Sequence, residues 1–178
     1  MANSKKNKYM GLLNRLIDEF ARGANLIDGL TDELYVKTSN GVGSVGAHFR
    51  HNIDFASNFL DGLEKGKVDY NQRERDLRVE ENRQIASESI VFLIRRIILI
   101  SPERLEADMK VCSELDDSNW HRSTGARELE FLHSHTVHHY ALIAEKLNSM
   151  GVDVSADFGV APSTLKFWAE SDEESKVA

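Results

Sequence analysis

The sequence predicts an all-α protein, a four-helix bundle with a long connection between its second and third helices and a small β-hairpin before the fourth. Three observations predict it. Four long stretches carry apolar residues at helical intervals. Alternating patterns of strand type are confined to one short run, Met109-Lys110-Val111-Cys112. Serine or threonine precedes two of the four long stretches, where an N-cap belongs.

The first helix is expected over 9–27. Leu13, Leu16, Ile17, Phe20, Ala24 and Ile27 form its stripe, with Arg15, Asp18, Glu19 and Arg22 largely on the other side. Gly29 ends it, and Thr31 can cap a short turn of helix through Tyr35. Residues 38–43 read as a Gly/Ser/Asn loop. Ser44 caps the second helix, which reaches about Leu63. Phe49, Ile53, Ala56, Leu60 and Leu63 mark one face, and Phe55 and Phe59 widen it, so burial is expected on more than one side. Residues 67–81 are dense in charge and read as a surface connection with internal ion pairs, each worth little. A link of this length fits a bundle with one crossover. The third helix is expected over 82–100, with Ile90, Leu93, Ile94, Ile97 and Ile98 apolar and Pro102 as its stop. Residues 105–120 contain the alternating run and a turn cluster, Asp116-Asp117-Ser118-Asn119, hence the hairpin. Ser123 or Thr124 caps the fourth helix, expected over 127–150, and Gly151 stops it. A short helix capped by Ser163 follows, then an acidic tail from Glu170 expected to be loose, like the polar N-terminus.

The 178 residues make one domain of ordinary soluble composition, 41% hydrophobic and 29% charged, with a core over about 8–165. A net charge of −7 without a basic stripe excludes nucleic acid as the main partner. No apolar run approaches the roughly 20 residues of a membrane span, and no secretory signal is seen behind the polar start. A single cysteine, Cys112, precludes an internal disulfide and fits a reducing compartment, so a cytoplasmic protein is expected. Cys112 has no adjacent His or Cys and reads as a buried structural thiol. Arg73 and Arg75 are the candidates for an anion contact, although ion pairs with nearby carboxylates are the simpler reading.

The fourth helix carries the chemistry. Four of seven histidines fall between Leu132 and Tyr140. His135 and His139 are four apart, stacked on one helix face and close enough to chelate one metal ion. His138 points about 100° away, and His133 is off that face. The zinc-protease pattern has Glu directly after its first His; here Thr136 holds that place, so the chelate lacks a proteolytic base. A third ligand must come from His48, His51 or His121. On a helical wheel His48 lies nearer the apolar centre of the second helix than His51 does.

Ser44-Val45-Gly46-Ala47-His48-Phe49-Arg50-His51 and His135-Thr136-Val137-His138-His139 resemble the motifs of the DinB/YfiT-like superfamily of four-helix-bundle metalloenzymes. That family has one histidine about seven residues after the Ser that caps helix two, then a late H-x-x-H-H or H-x-x-x-H. Matched residue by residue, the resemblance implies His51, His135 and His139 as the metal ligands. His48 is left as a neighbour of the ligands or an alternative ligand. It further implies one divalent transition metal (zinc, nickel or iron) and a hydrolase or low-molecular-weight thiol S-transferase. The substrate would then be a small molecule, possibly itself a thiol. A homodimer is implied too, in keeping with apolar surface on helices one and three. The catalytic residues are left unassigned. The rival reading is a non-catalytic metal-binding bundle or interaction module.

Overall fold

The computed structural model describes residues 2–38, 43–72 and 74–177, with side chains described within 9–171. The chain is mostly helical. In order it runs α1 (Ala2–Gly29), α2 (Asp32–Val36), α3 (Val45–Lys65), β1 (Lys67–Val68), α4 (Leu77–Glu81), α5 (Arg83–Ile98), α6 (Pro102–Glu106), β2 (Asp108–Cys112), β3 (Trp120–Thr124), α7 (Gly125–Ser149) and α8 (Pro162–Val177). None of these helices is long and apolar enough to cross a membrane, among the described residues.

Thr31, Ser44 and Thr124 act as the caps the sequence places there, and Asn82, read as the first residue of the third helix, is a cap as well. The side chains of Thr31, Ser44, Asn82 and Thr124 accept from the first free backbone N–H groups of α2, α3, α5 and α7. Gly66, at φ 69°, ends α3 in the left-handed conformation and turns the chain into β1. Leu16, Phe20 and Ile27 of α1, Ile90, Leu93 and Ile97 of α5, and Leu129, Leu132 and Tyr140 of α7 are all buried. They join Phe49, Phe55 and Phe59 of α3 in one core. α1 packs on α5 and α7, and α3 packs on the same two helices.

Several expectations are corrected. α1 begins at Ala2 rather than at residue 9, because nothing in the polar start breaks a helix. Pro102 ends no long helix; it opens α6, where its missing N–H costs nothing. The short C-terminal helix is 16 residues long and carries helix into the acidic tail, and Ser163 lies inside it rather than capping it. The 67–81 connection is no mere surface link. Val68, Tyr70 and Val79 are buried in it, α4 forms within it, and Tyr35 donates its phenol proton to the Val79 carbonyl at 2.8 Å. Arg50 fastens α4 to α3 through Glu80 at 2.8 Å and also binds Asp54 at 3.0 Å. Arg73 and the centre of the 38–43 loop lie outside the described residues; Arg75 is exposed at φ 55°.

The hairpin forms as expected: β2 and β3 pair antiparallel, with Lys110 opposite Arg122 and Cys112 opposite Trp120. β1 adds a parallel edge through Lys67 and Val68 against Lys110 and Val111, making a three-stranded sheet in the order β1-β2-β3. Two residues carry no periodicity, so only tertiary contact reveals such a strand.

Candidate metal centre

α3 and α7 run antiparallel along their shared face. His48 meets His139, His51 meets His135, and Phe55 meets Phe131. Four of the α3 residues that reach α7, at 48, 51, 52 and 55, follow the i, i+3, i+4 repeat of one helical stripe. His51 stands opposite the gap between His135 and His139. Its ring centroid is 5.0 Å from the first and 4.5 Å from the second, and those two are 4.6 Å apart.

Each of His51, His135 and His139 offers one ring nitrogen, and the three nitrogens lie within 4.8 Å of one another. His51 Nε2 and His135 Nε2 approach to 2.9 Å. Nitrogens bound about 2.0–2.1 Å from one ion stand about 3.0–3.4 Å apart, so the cluster could draw together on a metal ion. All three rings are half-buried, shielded from bulk water without being sealed from it. Neutral imidazoles of this kind suit zinc, nickel, iron or copper, and their geometry does not choose among them.

His48 is not brought into the triad. Its Nδ1 lies 3.1 Å from Nδ1 of His139, one helical turn beyond His51. A contact of that length needs one proton between the two nitrogens. With His139 as donor through Nδ1, its Nε2 is the nitrogen that keeps a lone pair for an ion. That is the arrangement in which outer hydrogen-bond partners hold histidines at metal sites. A second brace lies beside the triad. The Thr136 hydroxyl approaches Oδ1 of Asn52 at 3.2 Å and the Leu132 carbonyl at 2.9 Å. Asn52 and Thr136 follow His51 and His135 in sequence, so this contact fixes the register of the two helices at the site.

The other candidates fall elsewhere. His133 is buried on α7 beside Arg15 of α1. His138 is exposed, with its ring edge-on to His139 at 5.4 Å. His121 is exposed on β3, paired with Val111. Cys112 is buried on β2, its Sγ 3.4 Å from the Asp117 carbonyl. What the sequence did not announce is the aromatic wall of Phe55, Tyr70 and Phe131 beside His135. The i+4 spacings His51–Phe55 and Phe131–His135 were its available signal.

Burial holds the His139 imidazole far below its ordinary range, at about 3, and the neighbouring histidines push the same way. Burial also lowers His48 and His133, aided by Lys146 and Arg15 respectively. These groups are neutral when folded and charge more easily when unfolded. Their contribution to stability is therefore present above the unfolded value of 6.5 and is lost as pH falls from there toward 3. The chelator-treated protein is expected to melt at a clearly lower temperature at pH 5 than at pH 7.5. Thermal unfolding followed by circular dichroism checks this, and His139→Gln should flatten the dependence.

No protein-family model matches the chain, and no solved structure matches it. The chain is 32% identical over 103 residues to FK506-binding protein 5 of Rhizopus delemar. The match covers 56% of this chain and 27% of that protein, so the chain spans about a quarter of the relative's length. FK506 binding is a property in that protein's name and stays with it.

Proposed function

We propose that this chain is a metal-dependent enzyme built on a four-helix bundle of the DinB/YfiT-like type, formed by α1, α3, α5 and α7. Its metal ligands are His51, His135 and His139. The observation that carries this reading is three half-buried imidazoles from two facing helices, converging without a fourth protein ligand among the described residues. Three protein ligands with room for water or substrate mark catalytic sites, whereas structural sites are closed and favour Cys. Cys112, the one cysteine, sits on the hairpin.

A bound divalent ion supplies Lewis acidity there, lowering the pKa of a water or thiol that joins its shell. The chain's own part is to present neutral nitrogens, orient His139 through His48, and line one side with Phe55 and Phe131. The reaction class that fits is hydrolysis or transfer of a low-molecular-weight thiol. The metal-loaded protein is expected to turn over at least one member of a panel of esters, amides and thiol–electrophile pairs, with loss of turnover on chelation. A panel that stays silent while the metal remains bound favours the non-catalytic metal-binding module.

A homodimer belongs to the same proposal. Phe92 and Ile98 of α5 and Leu99 just after it are apolar and 59%, 62% and 81% exposed. Light scattering is expected to give twice the 20.1 kDa chain mass; a 20.1 kDa species at tens of micromolar removes this part of the proposal.

A further inference from the structure

His135 is the ligand with the most elaborate support. Its ring lies flat against Phe55, 4.0 Å between centroids and 16° between planes. Phe55 lies flat against Tyr70, again at 4.0 Å and at 3°. Two parallel rings that close to a third must occupy its opposite faces. The three rings therefore form one column, His135–Phe55–Tyr70. Phe131 closes its side edge-on, 5.5 Å from Phe55 and 5.9 Å from Tyr70.

The far end of the column is anchored by a buried carboxylate. Tyr70 donates its phenol proton to Glu128 Oε2 at 3.1 Å. The other oxygen, Oε1, accepts from Ser123 Oγ at 2.6 Å and Arg127 Nη1 at 3.0 Å. Glu128 is 1% exposed, and a charge so buried is kept only where donors satisfy it. Arg127 also lies over the Phe131 ring at 4.9 Å. The anchor thus joins β3, the 67–81 connection and the first turns of α7.

We propose that Phe55, Tyr70 and Glu128 are positioning residues for the metal ligand His135, a reading that rests on the metal centre proposed above. The physical reason lies in the imidazole. Its terminal torsion is broad, so an unsupported ring swings and its nitrogen lone pair wanders off the metal direction. Parallel stacking removes that freedom. The hydrogen bond from Tyr70 to Glu128 keeps the last ring of the column from turning, and burial of all three supports keeps water from replacing them. Outer partners that orient a ligand are typically worth 10–100-fold in metal affinity.

The test uses the full chain, titrated with cobalt(II) and followed by its visible absorption, with competing zinc to measure affinity. Phe55→Leu and Tyr70→Ala are expected to bind about 10–100-fold more weakly with altered cobalt bands. Tyr70→Phe keeps the ring but loses the bond to Glu128 and is expected to bind more tightly than Tyr70→Ala and more weakly than the wild type; wild-type affinity in Tyr70→Phe removes Glu128 from the proposal. Should Phe55→Leu fail to fold, the two Tyr70 variants decide. Wild-type affinity and an unchanged spectrum in Tyr70→Ala, together with a lowered melting temperature, would reduce the column to ordinary core packing and overturn the proposal. A wild-type chain that binds no cobalt overturns the metal centre itself, and the column's role with it; that outcome is distinct because no variant is needed to see it.

Discussion

His51→Ala, His135→Ala and His139→Ala are each expected to drop metal content from about one ion per chain to near zero, while His48→Ala retains its ion with weaker affinity. The difference follows from position. Removing a triad residue leaves two nitrogens, and in His139→Ala or His135→Ala it also destroys the chelate carried by one rigid helix. His48 touches the triad through His139, 3.1 Å away, so its loss frees that ring without removing one of the three nitrogens. Partners of this kind cost about 10–100-fold in affinity when removed, against abolition for a ligand. Elemental analysis after gel filtration separates the two cases. Retention in His51→Ala with loss in His48→Ala would move the third ligand one turn toward the helix start.

Phe49→Ala is expected to destabilise the fold by about 3–5 kcal/mol, the usual cost of deleting a large aromatic from a tight core. Phe49 is 1% exposed and sits at the junction of three elements. It stacks near Tyr35 at 6.3 Å and meets Tyr140 edge-on at 5.7 Å. Tyr140 in turn stacks on Phe158 at 4.7 Å, tying the 158–160 segment to α7. The approach there is close: at Gly159, φ 73°, an added Cβ would lie 2.2 Å from the Ala141 nitrogen. Deleting Phe49 opens a void under both contacts, and it directly follows His48. Urea unfolding measures the loss, and a change under 1 kcal/mol would mean that the packing around Phe49 is not as described.

Much of the helical order was legible because the stop and start signals are local. Thr31, Ser44 and Thr124 sit within one residue of the helix starts they govern, and a cap works through its own side chain and the next three amides. The pair His135 and His139 was legible for the same reason: four residues of helix fix their separation. The third nitrogen was not. α3 is buried on two sides, so its apolar centre does not point at α7 alone, and the helical wheel favoured His48. Which turn of α3 meets the gap between His135 and His139 depends on how the two helices slide past one another. That register is set by Asn52 against Thr136 and by Phe55 against His135, contacts 84 and 80 positions apart in the chain. β1 and the burial of Tyr70 were hidden likewise. The charge of the 67–81 segment is plain in sequence, but Tyr70 is drawn inward by Phe55 and Glu128, partners no local pattern reveals.

The most direct test is X-ray absorption spectroscopy on the full chain loaded with one equivalent of zinc. The expected spectrum shows three imidazole nitrogens at about 2.0–2.1 Å, with the multiple-scattering pattern of histidine rings and at least one further light atom from solvent. The histidine signature should diminish in His135→Ala. A shell of oxygen atoms without imidazole scattering, or a sulfur ligand at about 2.3 Å, would contradict a centre built from His51, His135 and His139.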